Sequence, residues 1–203
     1  DLDRESQVRL ELLLFKRAAV IKKAESKLPA LYQLLRNQIH DLHHVLIYCH
    51  DMDQLSQVAQ LLLDFGVSYQ KITGEESNTE SNQFGGMSER DWILSNFGNG
   101  TTKVLLAIKC LDEGVDIPEA QVAYILASSG NPREFIQRRG RLLRPSPGKE
   151  FAEIHDFVVT PDLDKEQQIS ATEISTLKKE LKRLEELSTD ATNTDEVRSA
   201  VAK

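Results

Sequence analysis

The side chains best placed for chemistry in this 203-residue chain lie in the stretch SGNPREFIQRRGRLLRPSPGKE, residues 129–150. If Pro132 opens a helix, Gln137, Gly140, Arg141 and Arg144 recur at i, i+3, i+4 and i+7 and share one face. Phe135, Ile136, Leu142 and Leu143 would then turn toward a core, with Arg139 interrupting that apolar face. Two guanidiniums and an amide on one side, beside a glycine that permits close approach, form a rigid donor set suited to phosphate oxygens. A solvated basic face is the competing interpretation, and spacing alone does not separate the two.

A second stretch, KVLLAIKCLDEGVDIPEAQVAYIL at 103–126, places a short polar loop between two apolar runs. Open α/β sheets bind ligands at the carboxyl ends of their strands, which makes Asp116 a candidate; a turn or cap role suits it equally. Asp112 and Glu113 after an apolar run imitate a magnesium-holding acid pair. No GxxxxGK[ST] phosphate cradle exists in the sequence for such a pair to serve. Cys49 beside His50 is not a catalytic pair, because adjacent strand residues point to opposite faces, so Cys49 is expected to be a core residue. His43 and His44 lack partners at metal-ligand spacing and are expected in a solvated loop, and His155 beside Asp156 is expected to be structural.

The elements that must hold these residues follow from hydrophobic spacing. β-Branched, apolar runs at His44–Cys49, Val67–Ile72, Lys103–Ile108, Gln121–Leu126 and Glu153–Val159 alternate with helical patterns near Met52–Phe65, Ser88–Phe97 and Pro132–Leu143. Near-continuous apolar strands between helices imply a doubly wound α/β domain, with a mainly parallel sheet covered by helices on both faces. Asp51 is placed to cap the first of these helical segments, and Ser88 with Asp91 forms an S-x-x-D start signal for the second. Helical extensions are expected at both ends. The first covers Arg4 to Arg36, split at Pro29, with Ser26 as cap; the second passes through Ile174, Leu177, Leu181 and Leu184, and a polar tail frays from about Ser188. The stretch TGEESNTESNQFGGM at 73–87 is long for a connection, and its composition favours a mobile insertion over a functional loop. The resulting division is a helical lead-in at 1–38, an α/β domain at 39–161 and a helix with tail at 162–203.

Composition narrows the function classes. A net charge of −7 argues against nucleic-acid binding by general charge, so any such contact must be local. Two cysteines, no apolar run long enough for a bilayer and a charged opening, DLDRESQVRLE, suit a cytoplasmic protein with no membrane span.

The stretch QRRGRLLR resembles motif VI of superfamily-2 helicases, Q-x-x-G-R-x-x-R. Its surroundings resemble the branch that holds the XPB-like helicases and the motor subunits of type I and type III restriction enzymes. VDIPEAQVAYIL with the preceding strand and loop resembles motif V, VLIYCHDMDQ resembles motif IV, and ITGE with RDWILSNF resembles motif IVa, interrupted by the ESNTESNQFGG insertion. KRAAVIKKAESKLPALYQLL and ELKRLEEL resemble the helices that flank this domain in the same branch. The resemblance implies the second RecA-like domain of an ATP-dependent DNA helicase or translocase, paired with a first RecA-like domain that holds ATP and Mg2+. It implies arginine fingers at Arg141 and Arg144, nucleotide-side roles for Gln137, Gly114 and Asp116, with Asp116 contacting the ribose or the motif VI helix, and nucleic-acid contacts at His50, Lys109, Cys110 and Leu111. DNA is the expected nucleic acid rather than RNA, and the chain by itself is expected to be inactive. The alternative is a non-catalytic RecA-like scaffold that binds nucleic acid or protein. Finger guanidiniums pinned inside their own domain by carboxylates would count against the motor assignment.

Overall fold

A computed structural model describes residues 3–108, 116–127, 140, 144, 146, 149–160, 170–189 and 191–201, apart from the side chains of residues 11, 14, 15, 17 and 18. The chain opens with helices α1 (Arg4–Lys22) and α2 (Lys27–Gln38), then alternates β1 (Val45–Cys49), α3 (Met52–Asp64), β2 (Tyr69–Ile72), α4 (Glu89–Gly98), β3 (Val104–Ile108), β4 (Val122–Ile125) and β5 (Glu153–Asp156). It closes with α5 (Ala171–Ser188) and α6 (Thr194–Val201).

The five strands form one parallel sheet in the order β2-β3-β1-β4-β5. Side chains alternate across a strand, so β1 serves two cores. Val45, Ile47 and Cys49 join Leu31 and Leu35 of α2 and Leu55, Val58 and Leu62 of α3 on one face. Leu46 and Tyr48 join Ile93 and Phe97 of α4 with Leu105 and Ala107 of β3 on the other. All five β1 residues are buried, which explains why the strand shows no polar alternation.

Local signals set the helix starts. Asp51 accepts a hydrogen bond from the Gln54 amide at 3.0 Å, and Ser88 accepts one from the Asp91 amide at 3.1 Å, each satisfying an orphan donor of the first turn. Ser170 and Glu173 form a reciprocal capping box at the start of α5. Ser26 does not cap: it has helical dihedrals (φ −66°, ψ −18°) and makes no side-chain bond to the first turn, because the chain is already wound there.

Two further expectations are corrected. The tail beyond Ser188 does not fray throughout; it turns through Ala191 and forms α6, with the Thr194 hydroxyl bonded to the Ser188 and Ala191 carbonyls. Asp195 and Glu196 in its first turn complement the helix dipole. His44 is not a solvated loop residue but half-buried, at φ 50°, with Nε2 3.2 Å from the Gly98 carbonyl and its ring edge-on to Phe97 at 5.5 Å.

The 73–87 stretch carries its own framework. Ser81 and Met87 form an antiparallel bridge around a 3-10 turn at Asn82–Phe84, which Gly85 and Gly86 close at φ 66° and 84°. Phe84 lies 5.5 Å from Trp92 of α4, and Glu76 turns back to accept from the Thr73 and Gly74 amides. No described helix is long and apolar enough to cross a membrane.

Candidate functional site

The parallel sheet directs the carboxyl ends of β1, β3, β4 and β5 to one edge, where an open α/β sheet binds ligands. His50 and Asp51 follow β1 there. The His50 amide donates to Gln54 Oε1 at 2.8 Å, and the ring is half-buried. Asp51 caps α3 and meets Lys23 at 3.0 Å, while Gln54 Nε2 donates to the Lys22 carbonyl at 3.1 Å, so the end of α1 is tied to this loop. Partial burial opposes ionisation of Asp51, but the Gln54 amide and the Lys23 ammonium outweigh it and hold the carboxyl below its ordinary value.

Cys49 is buried, and burial, with the Asp51 charge behind it, pushes its thiol up to about 12. A thiol so hard to ionise is no nucleophile near neutral pH, and Cys49 is a core side chain.

Asp116 and Arg144, 28 residues apart, meet in an ion pair between Oδ2 and NH1. The contact links the loop before β4 to the stretch that resembles motif VI. Lys149 adds a second link, with Nζ donating to the Pro118 carbonyl at 2.9 Å. The Asp116–Arg144 pair remains open to solvent, the side chains being 38% and 55% exposed. Gln137, Arg141, Gly114, Lys109, Cys110 and Leu111 lie outside the described residues, as does the helix expected at Pro132–Leu143; Gly140 is exposed, and a Cβ there would meet nothing within 4 Å.

A buried charge cluster beside this edge escaped the sequence reading. Lys27, 3% exposed, reaches from the first turn of α2 to the Leu126 carbonyl, just past β4, at 2.6 Å. On the neighbouring strand, Asp156 accepts from Arg183 Nε of α5 at 2.9 Å, with side chains 0% and 8% exposed, and Arg183 NH1 meets Glu180 at 2.5 Å. Burial pulls the Lys27 ammonium down to about 8, against the resisting charges of Asp156 and Glu180. A faint signal existed: Asp156 falls inside an apolar strand, where a carboxylate demands a partner.

Near the cluster, His155 stacks on Tyr124 with centroids 4.6 Å apart, and the Tyr124 hydroxyl donates to Gln38 Oε1 at 2.8 Å. A cavity of about 1240 Å³ runs along the outer side of β5. Leu34, Phe157, Leu184, Leu187 and Val197 line much of it, and it reaches Arg144 and Lys149 at one end. Among the described residues, no group of three or more His, Cys, Asp or Glu side chains is arranged to hold a metal ion.

Comparison with known proteins agrees with this fold. A DNA 3′-5′ translocase, XPB2, from Sulfurisphaera tokodaii is 45% identical over 56 residues, which cover 28% of this chain and 13% of the relative. A Methanocaldococcus jannaschii protein named as an ATP-dependent RNA helicase, MJ1505, is 32% identical over 111 residues, covering 53% of this chain and 13% of that protein. The chain thus spans only a small fraction of the length of these relatives. The C-terminal domain of the DEAD-box protein Dbp5 superposes with a TM-score of 0.53 at 21% identity, covering 78% of each chain, which establishes the RecA-like fold. Residues 26–146 match the helicase conserved C-terminal domain, and the chain belongs to that family.

Proposed function

We propose that this domain is the second motor half of an ATP-driven helicase or translocase and supplies Arg141 and Arg144 as fingers to a triphosphate held with Mg2+ by a first RecA-like domain. In this reading Gln137, Gly114 and Asp116 face the nucleotide side, and His50 with Lys109, Cys110 and Leu111 contacts a nucleic-acid strand. The Sulfurisphaera relative is named for DNA and the Methanocaldococcus relative for RNA. The closer local identity to the former favours DNA.

The observation that carries the proposal is the exposure of Arg144, more than half open to solvent, against an Asp116 carboxylate that is itself 38% exposed. A surface ion pair of this kind is worth about 0–1 kcal/mol. A phosphoryl group that enters as the cleft closes offers a stronger, bidentate, charge-assisted partner. Asp116 thus parks the guanidinium between turnovers instead of pinning it. Neutralising charge on the transferring phosphoryl group then lowers the barrier, an effect worth roughly 10³–10⁵ in rate for fingers of other nucleotide hydrolases. Because the fingers reach the nucleotide only on closure, hydrolysis and grip on the strand become one event. Alone, the domain neither holds nor hydrolyses ATP.

In the full-length protein, Arg144→Ala is expected to lower nucleic-acid-stimulated ATP turnover by at least about 10²-fold while leaving nucleic-acid binding in place. Turnover equal to the wild type would replace the motor by the alternative, a RecA-like scaffold for nucleic acid or protein.

A further inference from the structure

The segment that carries the motif VI arginines leaves β4 at the carboxyl edge of the sheet, and charged side chains from outside the sheet hold that edge at β4 and at the end of the neighbouring β5. At the departing end, Lys27 of α2 donates to the Leu126 carbonyl at 2.6 Å, while the Leu126 amide donates to the Tyr48 carbonyl of β1 at 3.0 Å. Beside it, at the carboxyl end of β5, Arg183 of α5 donates to Asp156 at 2.9 Å, in a pair almost fully removed from solvent. The two anchors form one cluster, since Lys27 senses the charges of Asp156, Glu180 and Arg183.

Buried ion clusters are weak stabilisers, because desolvation offsets their mutual attraction, and apolar side chains of similar volume often serve stability as well or better. What a directed, buried hydrogen bond to a carbonyl supplies is a fixed orientation. We infer that Lys27 is a positioning residue for ATP hydrolysis, acting through the Leu126 peptide to fix the departure of the motif VI segment, with Arg183 and Asp156 holding the end of the neighbouring strand. The inference rests on the motor function proposed above. It makes helices α2 and α5 part of the catalytic apparatus, because both must be docked for the fingers to be aimed.

Chemistry at Lys27 offers a readout that a merely structural role would not move. The charged groups facing it are Asp156 of β5, Glu180 and Arg183 of α5, and Lys22 of α1. When Lys27 loses its proton near pH 8, two carboxylates face one guanidinium within the cluster, and the anchor on Leu126 weakens.

The test uses the full-length protein with nucleic acid and ATP. Lys27→Met is expected to keep its helical circular-dichroism signal and its KM for ATP within about twofold while kcat falls about tenfold, the scale of a small misplacement of reacting groups. Wild-type kcat should show an alkaline limb near pH 8; Lys27→Arg, whose charge persists, should retain much of the activity and lose that limb. An unchanged kcat in Lys27→Met, or an alkaline limb that survives in Lys27→Arg, overturns the inference provided that Arg144→Ala abolishes turnover in the same preparation. If Arg144→Ala is also without effect, the motor function itself fails and the positioning role with it. Should Lys27→Met not fold, the pH profiles of the wild type and Lys27→Arg decide alone.

Discussion

Two arginine–aspartate pairs in this domain have the same chemistry, and they differ in how much solvent reaches them. Arg144 and Asp116 are 55% and 38% exposed, whereas Arg183 and Asp156 are 8% and 0% exposed. The chemistry of the two contacts is the same, but the dielectric around them is not. In a solvated pair, water competes for each partner and the contact exchanges at small cost. In a buried pair, neither charge can return to water without opening the fold, so breaking it leaves an uncompensated ion. The first suits a group that must switch from a carboxylate to a phosphate, and the second suits a joint between α5 and the sheet.

The largest expected effect follows from that contrast. Arg183→Met leaves Asp156 and Glu180 buried without their guanidinium, and by analogy with other broken buried pairs should destabilise the chain by about 3–5 kcal/mol. Urea unfolding followed by circular dichroism measures it. A loss under about 1 kcal/mol would place the Arg183 pair in the same class as the Arg144 pair and remove the contrast.

A smaller effect sharpens the account of the buried cluster. The Lys27 pKa falls from 10.5 to about 8 on folding. Between those values the unfolded chain holds more protons than the folded one, so this group makes stability rise with pH, by about 1 kcal/mol from pH 7 to 9. Cys49 works the other way, since its thiol is pushed from 9.0 up to about 12 and the unfolded chain loses that proton first, from about pH 9 upward. Comparing wild type with Lys27→Met at each pH cancels Cys49. The difference in unfolding free energy should move in favour of the wild type as pH rises from 7 to 9, and a flat difference would show that Lys27 keeps its proton throughout.

The same contrast explains what the sequence made legible. The five strands and helices α3 and α4 were readable because their signals are local: β-branched runs such as Val45–Cys49, capping side chains at Asp51 and Ser88, and a period that changes at each boundary. The candidate Arg144 was readable from its spacing, although its partner 28 residues away was not. The buried cluster was hidden for two reasons. Its contacts join residues 99 and 27 positions apart, and Glu180 with Arg183, at i and i+3 in a helix full of Lys and Glu, has the pattern of a solvated pair. Only the packing of α5 over Asp156 removes them from water. The internal bonding of the 73–87 stretch was hidden for a related reason: its polar residues satisfy one another, as Glu76 does for Thr73 and Gly74, and composition does not report that.

The smallest effect completes the comparison at its exposed end. Asp116→Asn keeps the size of the side chain and an oxygen able to accept from Arg144, but removes the charge. A surface pair should then lose under about 1 kcal/mol, and in 1 M salt, where the Debye length is about 3 Å, the difference from wild type should vanish. Unfolding of the two proteins at low and high salt measures this directly. A loss above about 2 kcal/mol that persists in 1 M salt would mean that Asp116 holds Arg144 as firmly as Asp156 holds Arg183. Such a guanidinium could not leave for a phosphate, and the parked-finger arrangement would fail at its first step.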